Sequence, residues 1–85
     1  MKFDVLNRYT GEVQFTAEIE CDENERESIK LGLAIQWGYK NKKDLRCANM
    51  ARAYMAGANM ADAYMAGANM ADANMAGAYM ARASL

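Results

Sequence analysis

The chain has 85 residues, a formal net charge of −1, no proline, no histidine and two cysteines. A chain this short holds one domain, or a small cap joined to a repeat array. Its near-neutral balance excludes any bulk electrostatic attraction to nucleic acid, and no run approaches the roughly 18 apolar residues of a membrane-spanning helix.

The first element predicted is a β-hairpin over Met1 to Ile19. Phe3 and Val5 alternate with polar neighbours, as do Val13, Phe15, Ala17 and Ile19, the period-two pattern of half-buried strands. Between them Tyr9-Thr10-Gly11-Glu12 reads as the turn, with Gly11 free to take a positive φ. The opening Met1-Lys2-Phe3-Asp4 lacks the charged-then-apolar pattern of a signal peptide. This predicts a cytoplasmic protein with both thiols free.

Next comes an acidic stretch, Glu18, Glu20, Asp22, Glu23, Glu25 and Glu27 against a single Arg26. Asp22 followed three residues later by Glu25 is a capping-box signature, so a helix is predicted from Asn24 to Lys40. Its core stripe is expected at Ile29, Leu33 and Trp37, widened by Leu31, Ala34 and Ile35. Lys40, Lys42 and Lys43 follow at the end, where cations favour the helix dipole. Gly32 weakens the helix by about 1 kcal/mol relative to Ala. A close approach to another backbone would explain it.

From Lys43 onward a five-residue phrase repeats without a gap. Methionine stands at 50, 55, 60, 65, 70, 75 and 80, with alanine two residues before and one after each. On a helix five residues advance about 140° net, which smears the methionines around the cylinder. On a strand an odd period sends alternate methionines to opposite faces. A corner every five residues satisfies the pattern, and four corners close a coil in which each turn buries its neighbour.

This tandem Ala-(Asn/Asp/Tyr)-(Leu/Met/Phe)-x-x phrase resembles the pentapeptide-repeat family. The resemblance implies a right-handed quadrilateral parallel β-helix of about two coils, a mainly β fold capped by the hairpin and helix. It divides the chain into a cap, 1–42, and a solenoid, 43–85. The resemblance places Leu45, Met50, Met55, Met60, Met65, Met70, Met75, Met80 and Leu85 at the inward position. It places Ala48, Ala53, Ala58, Ala63, Ala68, Ala73, Ala78 and Ala83 at the small inward one. Phe3, Asn7-Arg8-Tyr9-Thr10-Gly11, Val13-Gln14-Phe15-Thr16-Ala17, Lys30-Leu31-Gly32-Leu33-Ala34 and Asp44-Leu45-Arg46 resemble the leader of small bacteriophage and prophage members.

A coil of four pentads stacks residue n on n+20, with coils about 4.8 Å apart. Arg52 then sits over Asp72 and Asp62 over Arg82, while Asn49 stacks on Asn69, Gly57 on Gly77 and Cys47 on Gly67. Tyr54, Tyr64 and Tyr79 face outward, either covering backbone between coils or forming a partner surface. The last coil, with Met80 and Leu85, is expected to pair with a second copy.

No nucleophile motif, phosphate loop or carboxylate pair is identifiable, so no catalytic residue, metal or cofactor is expected. The family resemblance implies a non-enzymatic interaction protein: a phage-type inhibitor of a host nucleic-acid-handling or defence protein in the bacterial cytosol, anti-CRISPR-like or gyrase-directed. DNA mimicry by the rod is disfavoured, because Arg52 and Arg82 cancel Asp62 and Asp72. An acidic decoy would instead be Glu18 to Glu27, whose plainer reading is a solvated turn and helix start. Direct nucleic-acid binding through Lys40, Lys42, Lys43 and Arg46 competes with their ordinary reading as the basic end of a helix, which is preferred. A purely structural, self-assembling module is the alternative.

Overall fold

A computed structural model describes residues 1–85. Strands β1 (Lys2–Leu6) and β2 (Val13–Glu18) form an antiparallel hairpin, with Phe3 opposite Ala17 and Val5 opposite Phe15. The turn is built by Asn7, whose side-chain oxygen accepts the N–H groups of Tyr9 (2.8 Å) and Thr10 (3.1 Å). Gly11 takes φ +75° within it. Val5, Phe15, Ala17 and Ile19 are buried as the alternation predicts. Val13 is not; it is 53% exposed. An extra residue in β2, Gln14, bulges opposite the Val5–Leu6 step and breaks the register beside Val13.

Leu6 and Asn7 turn onto the repeats, where the Leu6 carbonyl accepts the Asn49 N–H (2.8 Å). The Arg8 N–H donates to the Cys47 carbonyl (2.8 Å), closing an antiparallel bridge between Asn7 and Ala48. The hairpin thus lies along one side of the first coil.

Helix α1 spans Glu27–Lys40, starting three residues later than predicted. The capping box does not form. Asp22 instead closes a separate turn, accepting the Asn24 N–H on its side chain (2.8 Å) and the Glu25 N–H on its carbonyl (3.0 Å). Arg26 is the N-cap and makes no side-chain capping bond. The buried stripe also differs from the predicted one. Lys30, Gly32, Ala34, Ile35 and Gly38 face the core, and Ile29, Leu33 and Trp37 are only half-buried. The small residues decide this rotation. A Cβ on Gly32 would collide with the Tyr54 carbonyl group, and one on Gly38 would meet the Phe15 ring at 2.5 Å. The helix packs its backbone against the first coil at Gly32 and against the hairpin at Gly38.

The repeats coil as the five-residue period requires. A left-handed residue recurs every fifth position: Cys47, Arg52, Gly57, Asp62, Gly67, Asp72, Gly77 and Arg82, with φ between 59° and 76°. Each is the third residue of a β-turn closed by a bond such as Ala53 N–H to Met50 O (3.1 Å), a type II turn. Between turns the chain pairs with itself twenty residues on. Asn49 bridges Asn69, Tyr54 bridges Asn74, Asn59 bridges Tyr79 and Tyr64 bridges Ser84, all parallel. These four bridges are sides one to four of a β-helix-type stack. Each side holds one bridge before the next turn, so the only continuous strands are β1 and β2.

Inside the first coil Leu45, Met50, Met55, Met60 and Met65 are buried with Ala48, Ala53, Ala58 and Ala63. In the second, Met70, Met75 and Met80 are half-buried. Leu85, expected inward, is 71% exposed. It follows Ser84, the last bridged residue, and no backbone bond holds it. Pairing also starts later than expected. Leu45 is in the core, but Lys43 and Asp44 form no bridge with the residues below, and the first ladder bond runs from Cys47 N–H to Ala66 O (3.0 Å).

Two stability outcomes follow. Gly32→Ala raises intrinsic helix propensity, yet it should lower the unfolding free energy by about 1–3 kcal/mol, the usual cost of overpacking. Asp72→Gly removes a side chain from a left-handed corner where it forms no ion pair. It should leave stability unchanged or raise it by up to about 1 kcal/mol. Urea denaturation of both variants measures the two signs.

Candidate interaction surfaces

Four outward features are distributed over the cap and the coils. The acidic segment connects β2 to α1. Lys30, only 8% exposed, donates from Nζ to the Glu23 carbonyl (2.6 Å) and so ties the segment to the helix. The Glu18 carboxylate pairs with the N-terminal ammonium (3.0 Å). Glu25 accepts its neighbour Arg26's N–H (3.1 Å) and Asp22 serves its turn. Glu20, Glu23 and Glu27 make no ion pair and are exposed. The segment is therefore a tethered loop with free carboxylates at its rim.

The tyrosines do not form one patch. Tyr54 is on side two, Tyr79 on side three and Tyr64 on side four, and all three are exposed. Asparagines at the equivalent positions have a local task. The side-chain oxygens of Asn49, Asn59, Asn69 and Asn74 accept the N–H two residues on, at 3.1–3.2 Å. Asn49 does stack on Asn69, but its oxygen is committed to its own turn rather than to an amide ladder.

Of the two predicted charge stacks, one closes. Arg82 grips Asp62 with Nε at 2.7 Å and a second nitrogen at 3.2 Å. Arg52 is in backbone register with Asp72 but forms no ion pair with it. Both lie in water, where such a pair contributes only about 0–1 kcal/mol and need not form.

The fourth feature is a groove of about 840 Å³ where α1 meets side four. Lys40, Lys42, Lys43 and Arg46 line it together with Asp62 and Tyr64. Arg46 forks onto Asp44, two nitrogens on two oxygens at 3.0 Å each, and its guanidinium lies over the Tyr64 ring at 5.6 Å. The Lys43 ammonium lies over Trp37 at 5.7 Å. The Tyr39 hydroxyl donates to the Ala61 carbonyl (2.7 Å) and ties the helix to side three. Gln14 was invisible as a functional residue in the sequence, where it is one outward position of β2. Its amide clamps the entry to the first coil, donating to the carbonyls of Asp44 (2.6 Å) and Arg46 (2.7 Å).

Hydrogen bonds from the Arg46 side chain and then its backbone N–H hold the Asp44 carboxyl below its ordinary 3.8. Bonding to Asp44 raises Arg46 in turn. No group of three or more potential metal ligands gathers anywhere, and no helix is long and apolar enough to cross a membrane.

Residues 44–85 match the family model of pentapeptide repeats, in eight copies. No curated protein and no solved structure matches the chain.

The Asp44 carboxyl should titrate below 3.8 by carbon-detected NMR and return toward that value in Arg46→Ala. A carboxyl whose folded value is depressed stabilises the fold fully above its unfolded value. That stabilisation is lost as pH falls through the folded value. The loss should be small, because both groups are half in solvent.

Proposed function

We propose that this chain, whose residues 44–85 are a pentapeptide-repeat array, is a non-enzymatic protein-interaction module. In this reading it acts as a phage-type inhibitor of a host nucleic-acid-handling or defence protein, and the repeat is a right-handed, four-sided scaffold. The observation that carries the reading is the division of labour between backbone and side chains. The ladder and the type II turns commit the backbone of the coils, while the outward side chains converge on no acid, base or nucleophile pair. Such a surface, held rigid by its backbone, is suited to recognition by a partner.

The acidic segment is the proposed partner-facing surface, joined by Tyr54, Tyr64 and Tyr79. Its support is the tether from Lys30 to Glu23, which presents Glu20, Glu23 and Glu27 from an ordered loop. Charges held in place before binding lose less entropy on association. A second copy is proposed at the last coil. There Met70, Met75 and Met80 are half-buried where their first-coil counterparts are covered, and the N–H groups of Gly67, Met70, Asp72 and Met75 have no backbone acceptor.

Two measurements test this. Immobilised protein should retain a single stoichiometric partner from bacterial lysate, and Glu20→Gln/Glu23→Gln/Glu25→Gln should lose it; undiminished retention removes the acidic segment from the reading. Sedimentation equilibrium at micromolar concentration should give twice the chain mass, and Met80→Glu should return it to the monomer value. A monomeric parent chain would rule out the second copy.

A further inference from the structure

We infer that the groove between the end of α1 and side four binds an acidic, extended segment of a partner protein. This rests on reading the chain as an interaction module and gives that module a partner chemistry.

The first observation is a bare edge. In the second coil each side donates an N–H to the carbonyl twenty-one residues earlier, as Asn69 does to Ala48 (2.9 Å) and Ser84 to Ala63 (2.8 Å). In the first coil the cap substitutes for the missing coil at sides one and two. Leu6 O takes the Asn49 N–H and Ser28 O takes the Tyr54 N–H, at 2.8 and 2.9 Å. At side four the register points the Tyr64 N–H at the Lys43 carbonyl, but no bond forms there. Lys42 adopts φ 57° and Lys43 turns its own N–H back to Gly38 O (2.8 Å). The entering chain therefore splays away from Tyr64, and the groove is the resulting gap. An uncovered sheet edge is a template for an added strand.

The second observation is charge. Four cations face two carboxylates along the groove, on a chain whose net charge is −1. Both carboxylates are already engaged, Asp44 by Arg46 and Asp62 by Arg82. Lys40, Lys42 and Lys43 have no carboxylate partner. Leu45, Ala61 and Ala63 supply an apolar floor. An occupant must therefore offer a carbonyl to Tyr64, carboxylates to three lysines and small apolar contacts between them. A peptide strand with acidic side chains has all three.

The alternatives fit less well. A single-stranded nucleic acid gains affinity by stacking bases on open aromatic faces, but Arg46 covers Tyr64 and Lys43 covers Trp37. The acidic segment of a second copy is folded around Asp22 and held at the Glu23 carbonyl, so it is not available as a strand.

The test uses the full chain and a fluorescein-labelled peptide alternating Glu and Val, read by anisotropy. The peptide should bind, and its Lys-for-Glu counterpart should not. Lys40→Gln/Lys42→Asn/Lys43→Gln should weaken binding about tenfold or more. Asn suits the left-handed φ at 42, and circular dichroism checks that the variant is folded. Adding the peptide should shift the Tyr64 amide resonance and slow its hydrogen exchange. The inference is overturned by no binding, by equal binding to the lysine variant, by an unmoved Tyr64 amide, or by oligothymidylate binding with the same lysine dependence. Glu20→Gln/Glu23→Gln/Glu25→Gln should bind the peptide as the parent does. Failure of the acidic segment to capture its partner and failure of this groove are thus separate results.

Discussion

The structure depends on how the first coil's upper backbone edge is covered. A stacked coil satisfies its interior ladder automatically, but its first turn exposes a row of N–H and C=O groups over an apolar core. Three elements of the cap meet that edge. The end of β1 brings Leu6 O to Asn49, the first turn of α1 brings Ser28 O to Tyr54, and the Tyr39 hydroxyl reaches Ala61 O. These contacts require the helix to sit against the coil backbone itself. Gly32 is the residue that permits it, because any Cβ there would occupy the space of the Tyr54 carbonyl.

From that docking the cap's other features follow. The helix turns its smallest residues inward, so Ile29, Leu33 and Trp37 move to its flanks. Trp37 stacks beside Phe15 with ring centres 6.3 Å apart. Lys30 is drawn under the acidic segment and donates to its backbone, which converts a polar connection into an ordered one. The cover is incomplete on sides three and four, where the Asn59 and Tyr64 N–H groups find no backbone acceptor, and side four is where the chain enters the first coil. The same geometry that protects two sides leaves Tyr64 open next to the basic end of the helix.

The coils show how little a repeat needs in order to be specified. Every corner is a type II turn with a left-handed third residue, yet only Gly57, Gly67 and Gly77 have the usual freedom for it. At Cys47, Arg52, Asp62, Asp72 and Arg82 a side chain is accepted there. Stacking over-determines those corners: each is pinned by ladder bonds to the coil above or below. Asn side chains at 49, 59, 69 and 74 close the turn that follows them. Tyr54, Tyr64 and Tyr79 stand at equivalent positions where this bond is absent, and their side chains are exposed.

Much of the fold was legible in the residues. The hairpin, the helix and the coil follow from periods of two, of three to four, and of five. The n to n+20 register follows from four corners, and the Asp62–Arg82 pair was readable from it, while a glycine within the helix pattern pointed to the approach at Gly32. The helix start was misplaced because Asp22 has two local options, a cap or a turn, and local bonds of equal quality do not choose between them. The buried stripe was misplaced because hydrophobicity ranks Leu33 and Trp37 above glycine, whereas backbone packing against the coil selects the residues without bulk. Val13 was placed inward by its period and Leu85 by the family resemblance, and a bulge in β2 and a missing bridge left them exposed. The acidic segment was visible as composition. The groove was not, since it exists only where Lys43 fails to pair with Tyr64. Sequence periodicity by itself determined what each segment could bury. Only the tertiary structure decided which backbone edges were left without partners, because an unpaired edge depends on where distant segments end relative to one another.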